Sequence, residues 1–261
     1  EDAAQARLAR FLDEAVAGYK TDRNLPGKEG TTSMPDALAV GEISARRFWH
    51  MALPAFQEGR AGVEHLLSEL VWREFARELM HDFPALDRSC WRPEWNDFPW
   101  RKDNADAKAW RRGQTGIDMV DAGMRELYAT GRMHNRLRLI TASYLCKHLL
   151  TDWRVGLAWF EECLVDWDAA SNAMNWQWVA GCGPDASPYF RIFNPEGQAE
   201  KFDGDGRYRR YWMHPDAPGA KAFAAAAPLS WKIDLKARHR PALDLAEGRE
   251  RALAAYQKVK A

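Results

Sequence analysis

Several clusters in this 261-residue chain combine residue types that could bind or react. Between Val63 and Asp82, Glu69, Trp72 and Arg73 stand at i, i+3 and i+4, so on a helix an acid, an indole and a guanidinium share one face. Alone, that trio reads as a solvated Glu–Arg pair beside a core tryptophan. Met133-His134-Asn135-Arg136-Leu137-Arg138 gathers an amide and two guanidiniums at a helix start, where free N–H groups favour anions. Alone, it is a surface turn. Asp166 and Asp168, followed by Ser171-Asn172 and Asn175-Trp176-Gln177-Trp178, set two carboxylates at i and i+2 among aromatics. They suit a metal-ligand pair, a helix N-cap or receptors for a polar ligand. Cys90, Cys146, Cys163 and Cys182 form no CxxC pair, so a zinc ribbon or disulfide scaffold is not expected and buried free thiols are. An iron–sulfur set assembled only in three dimensions ranks below that. The 13 tryptophans are several-fold above ordinary usage and admit core packing, base stacking and electron relay alike.

Helices must position these clusters. Residues 4–18 carry Ala6, Leu8, Leu12, Ala15 and Val16 at helical spacing and stop at Gly18, placed as a C-terminal cap. The chain loosens from Tyr19 to Ser33 around Pro26, Gly27 and Gly30. Ser44 is placed to cap a helix with Phe48, Met51, Ala52, Ala55 and Phe56 as its apolar face. Gly59 and Gly62 separate it from Val63–Asp82, with Leu66, Leu67, Leu70, Val71 and Phe75 inward and Pro84 past the end. Residues 90–112 read as irregular and aromatic. Thr115-Gly-Ile-Asp118 reads as a capping box with Asp in place of Glu, opening a helix to Gly131. Helices over about 133–150 and 152–165, a Gly- and Pro-rich stretch after Trp178, and a last helix over about 244–260 complete the expectation. No alternation is long enough for a sheet and no repeat is present, so the fold class is all-α.

Composition bounds the rest. With 46% hydrophobic residues the chain can bury a substantial core, as one large domain or two small ones. The formal net charge is +0, so binding to nucleic acid or an anionic membrane must come from local clustering. No run approaches about 18 apolar residues, and the start EDAAQARLAR lacks the pattern of a signal peptide, so the expectation is a soluble cytoplasmic protein with no membrane partner.

Gly131-Arg-Met-His-Asn135-Arg136, Leu149-Leu-Thr-Asp-Trp153-Arg154, Asn175-Trp-Gln-Trp178 and Tyr189-Phe-Arg-Ile-Phe-Asn194-Pro195 together resemble the flavin-binding domain of the photolyase/cryptochrome family. The resemblance runs from about Tyr19 to Trp212 and is nearest to bacterial enzymes that repair cyclobutane pyrimidine dimers. It implies one helical domain over 1–261 that binds FAD and a DNA lesion, with two helical groups enclosing the cofactor. The α/β antenna domain that ordinarily precedes it is absent from this chain. Tyr19 and Thr31-Thr32-Ser33-Met34-Pro35 fall where the family holds the FAD phosphates. Asp166 and Asp168 match the acidic pair that contacts FAD, Arg138 the partner of the first, and Asn172 the residue facing flavin N5. Trp176, Trp153 and Trp100 match a chain of tryptophans that reduces photoexcited flavin from the surface. Glu69, Trp72, Asn135 and Trp178 match the wall of the dimer pocket, and Arg23, Arg73, Arg136 and Gln198 match contacts to DNA phosphates or the mouth. The implied partner is UV-damaged DNA with a flipped-out dimer, met by a monomer that binds no metal.

Three departures accompany the match: Arg132 where many relatives have Trp, Leu139 where the repair pocket often has Met, and Thr32 with Pro35 in the phosphate loop. Pro35 has no N–H to offer. The implied activity is light-driven repair: photoexcited reduced FAD donates an electron to the dimer and recovers it after the ring splits. Repair of the (6-4) photoproduct ranks lower, because Asn135 and Leu139 occupy the places of the histidines it uses. A blue-light receptor of cryptochrome type is the alternative, and a plain Trp-rich helical domain the remaining one.

Overall fold

The computed structural model describes residues 1–185 and 191–260; Tyr189 and Phe190 of the last motif lie outside them. It is helical throughout, with one isolated backbone bridge, Arg101 to Thr151, and no sheet among the described residues. In chain order the helices are α1 (Asp2–Glu14), α2 (Tyr19–Asp22), α3 (Pro35–Ala39), α4 (Ala45–Gln57), α5 (Val63–Asp82), α6 (Ala105–Arg111), α7 (Asp118–Thr130) and α8 (Asn135–Ser143). A π-turn over Tyr144–His148 continues α8, and α9 (Trp153–Cys163), α10 (Ala169–Ala180), α11 (Pro195–Phe202), α12 (Arg207–Met213), α13 (Pro218–Ala226) and α14 (Leu245–Lys260) follow.

Side-chain caps set several of these starts. Ser44 accepts from Arg47 N–H, Asn104 opens α6, Asp152 opens α9, Asp168 opens α10 and Asn194 opens α11. The first expected helix ends early: α1 stops at Glu14, capped at Ala15, and Gly18 sits at φ −86° inside the next turn rather than in a left-handed cap. Thr115 and Asp118 form no capping box. The buried carboxylate of Asp121 takes the Thr115 N–H, the Thr115 hydroxyl and the Gly116 N–H, at 2.7, 2.7 and 2.9 Å. The irregular, aromatic stretch 90–112 hid α6, and the Gly- and Pro-rich stretch after Trp178 hid α11, α12 and α13, because Asn104, Asn194, Pro195 and Pro218 are helix starters as much as turn formers.

Two cores divide the chain. One gathers α1, Met34, Ala37, Ile43, α4 and the first half of α5; the other gathers the second half of α5, α6 through α12 and α14. α5 serves both, with Leu66, Leu67 and Leu70 in the first and Ala76 and Leu79 in the second. Val71, Phe75 and Phe56, expected inward, are exposed. Ion pairs and hydrogen bonds cross between the lobes: Arg132 to Asp36 and Arg136 to the side-chain Oδ1 of Asn24.

Candidate functional site

Most residues singled out by their chemistry fall along the seam between the two lobes. α10 carries Asn172, Trp176 and Trp178 and packs against α5, which holds Glu69 and Trp72, against α8, which holds Asn135 and Leu139, and against α9. Its first turn is fixed by Asp168, whose carboxylate accepts the Ser171 N–H at 2.9 Å and the Arg77 guanidinium at 2.8 Å. Burial would raise the Asp168 pKa; those two partners outweigh it and hold the group below its ordinary range. Arg138 meets both oxygens of Asp166, at 2.8 and 2.9 Å, and anchors to the Met133 carbonyl at 2.9 Å. Arg77 had no role in the sequence reading, although it stands four residues past Arg73 and eight past Glu69, on the same helical face.

The Glu69, Trp72, Arg73 trio resolves differently from a solvated pair beside a core indole. Glu69 pairs with Arg23, just past α2 and forty-six residues away, and Arg73 pairs with Glu74 and reaches the Leu38 carbonyl at 3.1 Å. Arg73 is thereby pinned to the first lobe. Trp72 is 46% exposed and meets the Phe75 ring edge-on at 5.7 Å. Arg23 also lies over the Tyr19 ring at 5.3 Å. Burial pushes the Tyr19 hydroxyl to about 12, with Arg23 opposing and Glu69 adding to the shift.

α8 begins with an unusual cap. His134 Nδ1 accepts the Arg136 N–H at 3.1 Å, so the proton sits on Nε2, which is buried without a partner. Burial, then Arg136, Arg138 and Arg23, lower the ring's pKa to about 4. Arg136 stacks on Phe202 at 4.2 Å, Asn135 is exposed, and Leu139 and Trp178 are half-buried. Gln198 Oε1 is buried without a partner.

The expected phosphate segment is split in character. Thr31, Ser33 and Pro35 are exposed, Thr32 is half-buried and accepts the Met34 N–H at 3.2 Å, and Ser33 holds φ +48°. That left-handed value strains a residue bearing a Cβ. Met34 is wholly buried in the first core, so its side chain is unavailable to a phosphate and only its backbone could serve.

Trp176 and Trp153 are buried and Trp100 is half-buried. The Trp176 ring lies on Gly156, one turn past Trp153 in α9; a Cβ there would sit 2.0 Å from Cη2. Trp100 and Trp153 flank the bridge in which Arg101 N–H meets the Leu150 carbonyl and Asp152 N–H the Arg101 carbonyl, at 2.7 and 2.9 Å. Among the described residues none of the three indole N–H groups, all buried, has a hydrogen-bond partner.

Two further features escaped the sequence reading. A cavity of about 600 Å³ opens between the Pro26–Glu29 loop and α12, beside Glu126 and Tyr208, and none of the expected site residues lines it. Burial raises the Glu126 carboxyl to about 7 although Tyr208 donates to it at 2.5 Å. Lys147 is wholly buried, donates to the Ala180 carbonyl at 2.6 Å, and is lowered by burial to about 7. Neither was legible, because a long-range partner decides each.

The seam fits a flavin dinucleotide on its own evidence. Asn172 gives its amide N–H to the Leu157 carbonyl at 3.1 Å, which leaves Oδ1 as an acceptor for a ring N–H. Comparison with known proteins agrees. Residues 66–258 match the family model "FAD binding domain of DNA photolyase". A deoxyribodipyrimidine photo-lyase of Agrobacterium fabrum is 45% identical over 100% of this chain and 56% of its own length. The crystal structure of a bacterial class III photolyase from Agrobacterium tumefaciens superposes with a TM-score of 0.86 at 44% identity, covering 99% of this chain and 56% of that one. A Synechocystis cryptochrome superposes with a TM-score of 0.84 at 33% identity, covering 97% and 55%. The chain thus spans about half the length of these relatives. It belongs to the FAD-binding domain family of DNA photolyase, with FAD as its cofactor.

Proposed function

We propose that residues 1–261 form the flavin- and lesion-binding domain of an enzyme that repairs cyclobutane pyrimidine dimers in DNA with light. The observation that carries the reading is α10, whose Asn172, Trp176 and Trp178 address three neighbours at once. When bound and reduced, FAD supplies the photoexcited electron donor. Asp166 with Arg138, Asp168 with Arg77, and the Tyr19 and Thr31–Pro35 segment hold the cofactor between the lobes. Asn172 Oδ1 accepts the N5–H without adding a charge beside it. Trp72 and Trp178 offer flat apolar surfaces to a lesion that cannot stay stacked, and Glu69 and Asn135 satisfy its polar edge. Glu69 does so in a fixed orientation because Arg23 grips it. Arg23, Arg136 and Gln198 line the mouth toward DNA phosphates, and Trp176, Trp153 and Trp100 carry electrons inward to restore reduced flavin. A preceding antenna domain belongs to the same proposal.

The test is an oligonucleotide carrying one thymine dimer, illuminated with FAD-loaded protein beside a matched (6-4) substrate. Thymine absorbance returns on the first and not the second, and Glu69→Ala lowers the yield by about tenfold, the scale of one charge-assisted hydrogen bond. Repair of the (6-4) substrate alone overturns the choice of lesion. No repair of either, with flavin bound and reduced, favours the blue-light receptor reading, to which the Synechocystis cryptochrome likeness belongs.

A further inference from the structure

Two of the departures noted in the sequence, Arg132 and Pro35, stand at one contact. The Arg132 guanidinium pairs with the carboxylate of Asp36, the residue directly after Pro35 and ninety-six positions away. Asp36 lies in the first turn of α3, next to the Thr31–Pro35 segment, and Met34 and Ala37 on either side are buried in the first core. Asp36 Oδ1 accepts the Ala37 N–H at 2.8 Å and stands 3.7 Å from Arg7 of α1, which leaves Oδ2 to Arg132. At its other end α3 is held by Arg73, which donates to the Leu38 carbonyl at 3.1 Å. The helix is a fixed part of the first lobe.

Arg132 is as firmly built into the second. Its N–H donates to the Thr130 hydroxyl at 3.0 Å, and the Gly131 carbonyl before it accepts the Val165 N–H at 2.8 Å. Gly131 holds φ +69°, and a Cβ there would stand 2.5 Å from Val165 Cγ1, so glycine is what lets these two loops touch. Val165 precedes Asp166, whose carboxylate meets Arg138, and Arg138 returns to the Met133 carbonyl at 2.9 Å. Residues 130–133, Asp166 and the start of α8 therefore form one block, and the ion pair joins that block to α3 across the seam.

Resting on the placement of FAD between the lobes, we propose that Arg132 and Asp36 form a clasp that governs how fast the cofactor enters and leaves. A dinucleotide held by the Thr31–Pro35 segment on one side and by Asp166 with Arg138 on the other exchanges when those two blocks part, and that motion breaks the ion pair. Both are positioning residues. They bind protein to protein, so the pair is made before and after the cofactor binds and sets both rates without setting the affinity. The Arg132 side chain is 55% exposed and that of Asp36 24%, so the clasp is open to salt and weak enough to release.

Flavin fluorescence follows the release of FAD from loaded protein on dilution and its uptake by flavin-free protein on mixing. Arg132→Met and Asp36→Asn, which keeps an oxygen for the Ala37 N–H, each raise both rates by about fivefold, the upper worth of a pair this exposed, and leave the dissociation constant unchanged. The two changes together do no more than either alone. Arg132→Lys keeps the charge and most of the slow exchange, and Arg7→Met, which removes a charge from within the first lobe, alters neither rate. Raising salt from about 0.1 to about 1 M brings the protein and Arg132→Met together, because the Debye length falls from about 10 to about 3 Å. Unchanged rates in both Arg132→Met and Asp36→Asn overturn the proposal, and so does a weaker dissociation constant with an unchanged on-rate, which would make the pair a contact to the cofactor. Asp166→Ala separates this from the placement of FAD: if it leaves the affinity unchanged, that placement fails whatever the exchange rates do.

Discussion

Asp168 concentrates two duties in one carboxylate, capping α10 and holding Arg77 across the seam. Sequence spacing offered a cap or a ligand receptor as alternatives; geometry makes the cap certain and adds an ion pair ninety-one residues apart. Removing the side chain with Asp168→Ala should cost about 1 kcal/mol or more, the usual worth of a capping residue. Asp168→Asn keeps a capping oxygen and loses only the charge. The folded pKa is depressed, so the charge contributes above the unfolded value of about 4 and the contribution fades as pH falls through the folded value. Urea unfolding of protein and Asn variant at a series of pH values should therefore show a gap at neutral pH that closes in acid.

At the scale of elements, α9 and α10 meet where Gly156 gives room to the Trp176 ring. Any side chain there collides with a rigid, buried indole rather than a flexible chain end. Gly156→Ala should lower the unfolding free energy by about 1–3 kcal/mol, the range for overpacking a core, and slow flavin photoreduction because the ring is displaced. Urea midpoints and steady illumination of bound oxidised flavin read the two effects separately. The start of α8 gives a pH prediction of the opposite chemical type. His134 caps only while neutral, and its pKa is depressed to about 4. Stability is therefore complete above the unfolded value of about 6.5 and declines as pH falls toward 4, because the unfolded chain takes up the proton first. His134→Asn keeps a capping oxygen and cannot titrate, so the slope of unfolding free energy against pH over that interval should flatten.

For the whole molecule, two cores share α5 and leave their facing surfaces joined by polar pairs such as Arg132 with Asp36. Exposed pairs of this kind contribute about 1 kcal/mol or less each. A dinucleotide bridging the lobes should contribute more. At about one hundred times its dissociation constant FAD should raise the unfolding free energy by about 2.7 kcal/mol. Denaturant titration with and without added FAD measures this directly, and coincident transitions with no gain would refute lobe bridging.

What the sequence determined alone is what depends on local period. The helical spacing of Glu69, Trp72 and Arg73, the run from Asp168 to Trp178 and the capping role of Ser44 all follow from bonds made within four residues, and most of the all-α order follows with them. Short helices behind Asn194 and Pro218 escaped because three turns or fewer carry too few apolar positions to establish a period. Only the tertiary structure decided that Glu69 answers to Arg23, Asp168 to Arg77, and that Arg154 reaches the sulfur of Cys90. Those partners lie tens of residues apart, and which ones meet is set by how two cores pack on α5, a property of three-dimensional contact that no spacing along the chain contains.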